Sequence, residues 1–432
     1  MQDVSAVARE SVIALLVRRW RDPAGWATAT DIFVILIALS LPWSTTLVGI
    51  FAAASIVSMA PFLDVRNFLE SLKRPICSLP LALFALAVVG TLWSDAPWAT
   101  RLYAIGPPAK LLMVPLLFYH FERSARGVQV FIAFLVSCVL LLAMSWIVVF
   151  DPRLALKPAA DYGVPVKNYI DQSQEFALCA VALAYPIVTL LRTGRMMEAV
   201  LLGAIALSFV VNMAFVIVSR TALVTMPIML AVFALLHLKW RSIVIVFCTT
   251  TVLAGLAWAA SPHLRSTSTK FLREYKIYKE LNQPTSIGLR LEFWKKSLWF
   301  FAEAPIIGHG TGSTRGLFEQ AATGPNVLAS GQVISNPHNQ TLNVAIQWGV
   351  TGIVILYAMW LAHLLLFRGD GLVAWIGLLV VVQNIFSSLF NSHISDFNEG
   401  WMYVLGVGIA GGMVLKTGSR EATLGPRNSV KS

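Results

Sequence analysis

Val128–Phe150 reads VQVFIAFLVSCVLLLAMSWIVVF and contains no Asp, Glu, Lys or Arg. Wound as an α-helix at about 1.5 Å per residue, it is long enough to cross the roughly 30 Å of a bilayer's hydrocarbon core. Working outward, comparable apolar runs fill the chain: Ile32–Ser44, Thr46–Leu63, Ser78–Trp93 and Ile105–Tyr119 before it, and Phe176–Leu191, Ala199–Val218, Ala222–His237, Ile243–Ala260, Leu342–Phe367, Leu372–Leu389 and Trp401–Leu415 after it. Hydrophobic residues are 57% of the 432 and mean hydropathy is +0.71, so the class is an all-α polytopic membrane protein. The expected architecture has about twelve transmembrane helices and a large, partly helical polar loop between the ninth and tenth spans. Pro42 and the short Ser44-Thr45-Thr46 break leave the first two runs readable as one kinked helix or as a hairpin.

Orientation follows from the short connections. Arg9, Arg18, Arg19 and Arg21 precede the first span. Arg66, Lys73 and Arg74, then Arg123 and Arg126, Arg192 and Arg195, Lys239 and Arg241, and Arg368 fall in every second connection, and Lys416, Arg420, Arg427 and Lys431 close the chain. The positive-inside rule puts these in the cytoplasm, with both termini, and puts the long polar stretch on the opposite face. The expected division is a cytoplasmic N-terminal segment at 1–30 with an interfacial helix over Val4 to Trp20, nine spans over 31–260, the polar loop at 261–338, three spans over 339–416, and a cytoplasmic tail at 417–432. The net charge of +11 then reflects topology and attraction to anionic lipid, and no cytosolic basic domain is long enough for nucleic acid. Cys77, Cys138, Cys179 and Cys248 all lie in apolar runs, which indicates neither a disulfide framework nor a thiolate metal site.

Polar residues in costly places mark the candidate site. Arg220 sits in the short turn Val218-Ser219-Arg220-Thr221-Ala222 between apolar runs, where it reads either as a snorkelling anchor or as a diphosphate clamp. Lys110, inside an apolar run after Gly106-Pro107-Pro108, is a second candidate for that clamp. Ser286–Arg290 opens an amphipathic helix whose Leu291, Trp294, Leu298 and Phe301 fall on one face expected to rest on lipid or on the bundle, with Arg290 in its first turn. Pro305–Gly312 reads as a flexible turn and matches no nucleotide-binding loop. Asn336-Pro337-His338-Asn339-Gln340 stands where the loop meets the tenth span. A neutral imidazole there can accept a proton, and the amides of Asn336, Asn339 and Gln340 can orient it or bind sugar hydroxyls. Asp396 is placed to orient an imidazole or arginine; no Asp-x-Asp pair, zinc spacing or Gly-x-Ser-x-Gly elbow accompanies it, so neither metal nor nucleotide cofactor is indicated.

The order of these elements resembles the O-antigen ligase and O-antigen polymerase superfamily: many spans, Ser219-Arg220 in a short turn, a large loop with Gly288-x-Arg290, Trp294 and Pro305-x-x-Gly308-x-Gly310, then Pro337-His338-Asn339. The resemblance runs from about Asp31 to Leu415 and implies a multi-pass protein of a Gram-negative inner membrane with its active site facing the periplasm. It further implies metal-independent, inverting transfer of an undecaprenyl-diphosphate-linked glycan to a sugar of the lipid A core. Arg220 and Arg290 would hold the diphosphate and His338 would assist the acceptor hydroxyl. Partners would be the lipid-linked donor, the lipid A core and membrane lipids, with no nucleic acid and no nucleotide. A single dominant loop favours the ligase; the Asp151–Glu175 stretch keeps a polymerase in play, as does a protein oligosaccharyltransferase. A lipid or solute transporter would show inverted repeats and mid-membrane charges, and neither is visible.

Overall fold

A computed structural model describes residues 22–157 and 161–424, with side chains of the last helix described as far as Lys416. The interfacial helix expected over Val4 to Trp20, and most of the C-terminal tail, lie outside these residues. Among the described residues every regular element is helical. Nine helices are long and apolar enough to cross a membrane, and a tenth span arises if Val65–Ser71 and Pro75–Val89, bent by 85°, are taken together. The remaining two of the expected twelve runs also form helices, Leu372–Ser387 and Phe397–Leu424. Ser44 breaks the first apolar stretch: its hydroxyl accepts from Leu47 N–H and caps a new helix at Thr45, so the hairpin holds rather than one kinked helix.

The bundle closes where small residues let backbones approach. In the last helix a Cβ at Gly408, Gly411 or Gly412 would lie 2.8, 2.4 and 2.6 Å from Leu117, the Phe118 ring and the Phe118 carbonyl, so bare glycine permits the contact with Met113–Phe121. Two histidines are buried in the bundle: His120 pairs with Asp31 at 2.7 Å, and His363 lies against Tyr403 and the Ile76 carbonyl.

Two expectations about the polar stretches need correction. The span expected over Phe176–Leu191 begins seven residues earlier, inside the Asp151–Glu175 stretch, as one apolar helical run over Tyr169–Arg192. Asn168 caps its start through the Ile170 and Asp171 N–H groups, and Gln172, Gln174 and Glu175 are buried. The polarity of that turn is spent inside the bundle: Gln383 donates to Gln174 at 3.0 Å and Asn398 donates to Glu175 at 3.1 Å. The second correction concerns Pro305–Gly312, which is a rigid pin. The N–H groups of His309, Gly310 and Thr311 donate to Ile346, Gln347 and Gly90 carbonyls, and Gly312 N–H donates to the Gln347 side chain. In return Val350 and Thr351 donate to the Pro305 and Ile306 carbonyls, which satisfies the backbone where the Gln340–Leu366 helix is broken at Gly349, φ +60°.

The polar stretch is thus an ordered layer of helices, Pro262–Leu281, Ser286–Glu303 and Thr314–Gln320, docked on the bundle. The Ser286–Glu303 helix buries Phe293, Ser297 and Phe300 against Phe318 and Ile346, whereas Leu298 is 57% exposed. The apolar stripe expected from Leu291, Trp294, Leu298 and Phe301 is therefore not the docked face, because Phe318 and Ile346 come from elsewhere in the chain and seek the neighbouring one.

Candidate active site

Arg220 and Arg290 line one cavity of about 350 Å³. Its floor is the Val216–Thr221 turn and its walls are Tyr169, Lys270 and Glu274. Arg220 opens the Arg220–His237 helix, and its two terminal nitrogens donate to the Glu274 carboxylate at 3.0 and 2.7 Å. That pair holds the Glu274 carboxyl below its ordinary range. The fork uses only two of five guanidinium N–H groups, so Arg220 keeps donors for an anion. Arg290, half-buried, makes no hydrogen bond or ion pair among the described residues. Burial lowers its basicity first, and the like charge of Arg220 lowers it further. Glu274, already bound to Arg220, is the carboxylate that lines the cavity with the two arginines, an arrangement whose unused guanidinium donors suit a polyanion.

His338 stands on the next layer. Phe293, one turn beyond Arg290, lies face to face with its ring at a centroid distance of 6.2 Å. The backbone at His338 is left-handed, φ +54°, a conformation costly for a residue with a Cβ. Two amides hold it there: His338 N–H donates to Asn336 Oδ1 at 2.9 Å, and Asn339 caps the following helix through Leu342 N–H at 3.0 Å. The ring Nδ1 is 2.8 Å from Asn391 Oδ1, and Asn391 Nδ2 donates to Asp396 Oδ2 at 2.6 Å. Burial keeps His338 below its ordinary basicity, the Asn391 hydrogen bond opposes this, and the charge of Arg290 reinforces it. The imidazole is therefore neutral near pH 7 and able to take a proton.

The residues holding this geometry fall on both sides of the loop. Residues 202–357 match a family model described as O-Antigen ligase. Over that stretch the chain is similar to the O-antigen ligase family. Arg220, Arg290 and His338 all lie within the matched residues. No curated protein matches the chain.

Beyond the matched residues, the turn Ser388–Asp396 backs the site. Gln340 N–H donates to the Ser388 carbonyl and Gln340 Oε1 accepts from Ile394 N–H at 3.0 Å, while Asn339 Nδ2 donates to the Leu389 carbonyl at 3.2 Å. Asn339 and Gln340 thus brace backbone and do not line the cavity. Lys110 does not join Arg220 and Arg290: its ammonium donates to the Ser395 and Asp396 carbonyls at 3.1 and 2.5 Å. The helix runs through Gly106-Pro107-Pro108 into a 3₁₀ turn at Lys110–Leu112, and the lysine there anchors the Asp396 segment instead of joining the arginines. Burial pushes the Asp396 carboxyl up to about 7, with Lys110 pulling the other way.

His393, Asp396 and Glu399 bring potential ligand atoms within 4.8 Å of one another. The donor set suits a metal poorly, because Asp396 already accepts from Asn391 and the Lys110 ammonium lies against the same turn. Asn391 and Glu274 escaped sequence reasoning altogether. Each acts through a partner more than fifty positions away, and no local pattern announces it.

Proposed function

We propose that this protein is a periplasm-facing glycosyltransferase that moves a glycan from undecaprenyl diphosphate to a sugar of the lipid A core, inverting the anomeric centre without a metal. The observation that carries the reading is the convergence on one cavity of Arg220 and Arg290, the latter with no hydrogen bond or ion pair from its guanidinium among the described residues, and the packing of His338 against Phe293, one helical turn beyond Arg290. In the proposed reaction the acceptor oxygen bonds to the anomeric carbon as the bond to the diphosphate oxygen breaks. The hydroxyl proton passes to His338, and the electron pair leaves with the diphosphate, whose growing charge meets the two guanidiniums. Diphosphate is a good leaving group, so no general acid is required.

The positive-inside distribution supports a periplasmic site. The polymerase reading needs a second carrier-linked glycan as acceptor. Of the Asp151–Glu175 stretch that favoured it, Tyr169–Glu175 belong to a membrane helix while Asp151–Leu154 are exposed, so the polymerase reading stays for the assay to decide.

The test is transfer by purified full-length protein given lipid-linked glycan, lipid A core and EDTA. Product on the core supports the ligase; growth of the carrier-linked chain selects the polymerase; loss of transfer under EDTA refutes a metal-free mechanism. A single cysteine placed at Ser335 should react with an impermeant thiol reagent added from the periplasm, and reaction only from the cytoplasm would overturn the assigned face.

A further inference from the structure

We propose that Asn391 is a positioning residue that fixes the His338 imidazole in one tautomer, with Nδ1 carrying the proton and Nε2 left free as the atom that receives the acceptor's proton. The inference rests on the reading of His338 as the base and adds to it the reacting atom and the group that selects it.

The two ends of a carboxamide are alike in shape, so its orientation must be argued from its partners. Asn391 Nδ2 faces Asp396 Oδ2 at 2.6 Å, and the ionised form of that carboxyl only accepts, so the amide donates to it. A second constraint is independent of Asp396. Asn336 Oδ1 accepts from His338 N–H at 2.9 Å and from the Ser392 hydroxyl at 2.7 Å, so its Nδ2 must point the other way, toward Asn391 Oδ1 at 3.3 Å. Both constraints put an acceptor, Oδ1, at 2.8 Å from His338 Nδ1, and the ring must donate there. The single lone pair of the neutral ring is then on Nε2.

The surroundings preserve this state. Phe293 packs against the ring, and burial and the charge of Arg290 disfavour a second proton on it. His393 is itself fully buried, held to about 3 by that burial, and therefore uncharged. Asp396 reaches the ring only through Asn391, and Lys110 holds the Asp396 backbone in place. A neutral amide between carboxylate and imidazole orients the ring without raising its basicity as a directly bonded carboxylate would.

The direct test is the ring 15N spectrum of full-length wild-type protein labelled at histidine in lipid nanodiscs, with His338 assigned by difference against His338→Gln. Nδ1–H with an unprotonated Nε2 is expected; a proton on Nε2 overturns the proposal, and this measurement needs no active variant. Kinetics supply the second arm. Asn391→Ala should lower kcat about 10- to 100-fold with KM little changed, since orientation is lost while binding is kept. Asn391→Asp should recover much of kcat and move the acid limb of the pH profile upward, because a carboxylate beside the ring favours imidazolium. If His338→Ala abolishes transfer while Asn391→Ala leaves kcat and the acid limb as in wild type, the positioning role is refuted and the base reading stands. If His338→Ala retains turnover, the base reading falls and the tautomer is decided by the spectrum alone.

Discussion

Replacing Arg290 by Met should damage binding and spare the fold, a combination that separates a ligand-holding cation from a structural one. The half-buried guanidinium has no hydrogen-bond or ion-pair partner among the described residues and sits beside Arg220. Its folded-state pKa is depressed, mainly by burial and then by Arg220, which means the folded protein accommodates the cation less well than the unfolded chain does. Arginine is charged in both states at any ordinary pH, so this disadvantage acts throughout the working range. Methionine fills similar space without the charge, and the unfolding temperature should stay constant or rise.

Binding should move the other way. Two charge-assisted hydrogen bonds from one fork to a diphosphate contribute about 2–4 kcal/mol net, so Kd for undecaprenyl diphosphate should rise roughly 30- to 700-fold. Arg290→Lys keeps a point charge without the fork and should cost about 5- to 30-fold. Native mass spectrometry or a fluorescence titration in nanodiscs reads Kd, and thermal unfolding in the same lipid reads stability. The reasoning fails if Arg290→Met lowers the unfolding temperature by several degrees while Kd stays within about threefold of wild type.

Other perturbations bear on separate parts of the argument. His338→Ala should reduce turnover about 100- to 10,000-fold while leaving Kd for undecaprenyl diphosphate unchanged, measured by transfer assay and titration. Because the His338 pKa is lowered, the acid limb of wild-type activity should lie below pH 6.5, where imidazolium finally forms; a limb above that value would contradict the burial seen here. Glu274→Gln should cost about 1–3 kcal/mol at neutral pH by breaking the two-pronged contact with Arg220. The depressed Glu274 pKa gives wild type a contribution that is complete above its ordinary 4.5 and is lost as pH falls through the folded value, so the variant should lose less stability on acidification. Gly308→Ala places a Cβ 2.4 Å from the Gln347 carbonyl carbon at φ +65°, and neither backbone can yield. About 2–4 kcal/mol of destabilisation is expected, read as a lower unfolding temperature, and a neutral substitution would mean the Pro305–Gly312 pin is not docked.

Much of the candidate site was legible because its residues are chemically out of place. Arg220 beside an apolar run and His338 at a loop-to-helix junction are conspicuous in a chain that is otherwise greasy. Their supporting cast was not: Asn391 is one amide in a polar turn, and Glu274 is one acid on a basic helix. Lys110 shows the opposite error, since a lysine in an apolar run signals only that something must satisfy it. In the structure that something is a pair of carbonyls from the Ser388–Asp396 turn.

Composition and run length alone dictated an all-helical, membrane-spanning bundle, since a backbone in hydrocarbon must satisfy its own hydrogen bonds and a helix does so locally. Charge spacing in the connections likewise carried the expected sidedness. Tertiary structure alone decided that Tyr169–Arg192 takes its polar first turn inside, that Pro305–Gly312 is a pin, and that His338 meets Phe293 and Asn391 beside the arginine cavity. Those outcomes depend on contacts between residues far apart in sequence, whose free energy exists only once both partners have been brought together.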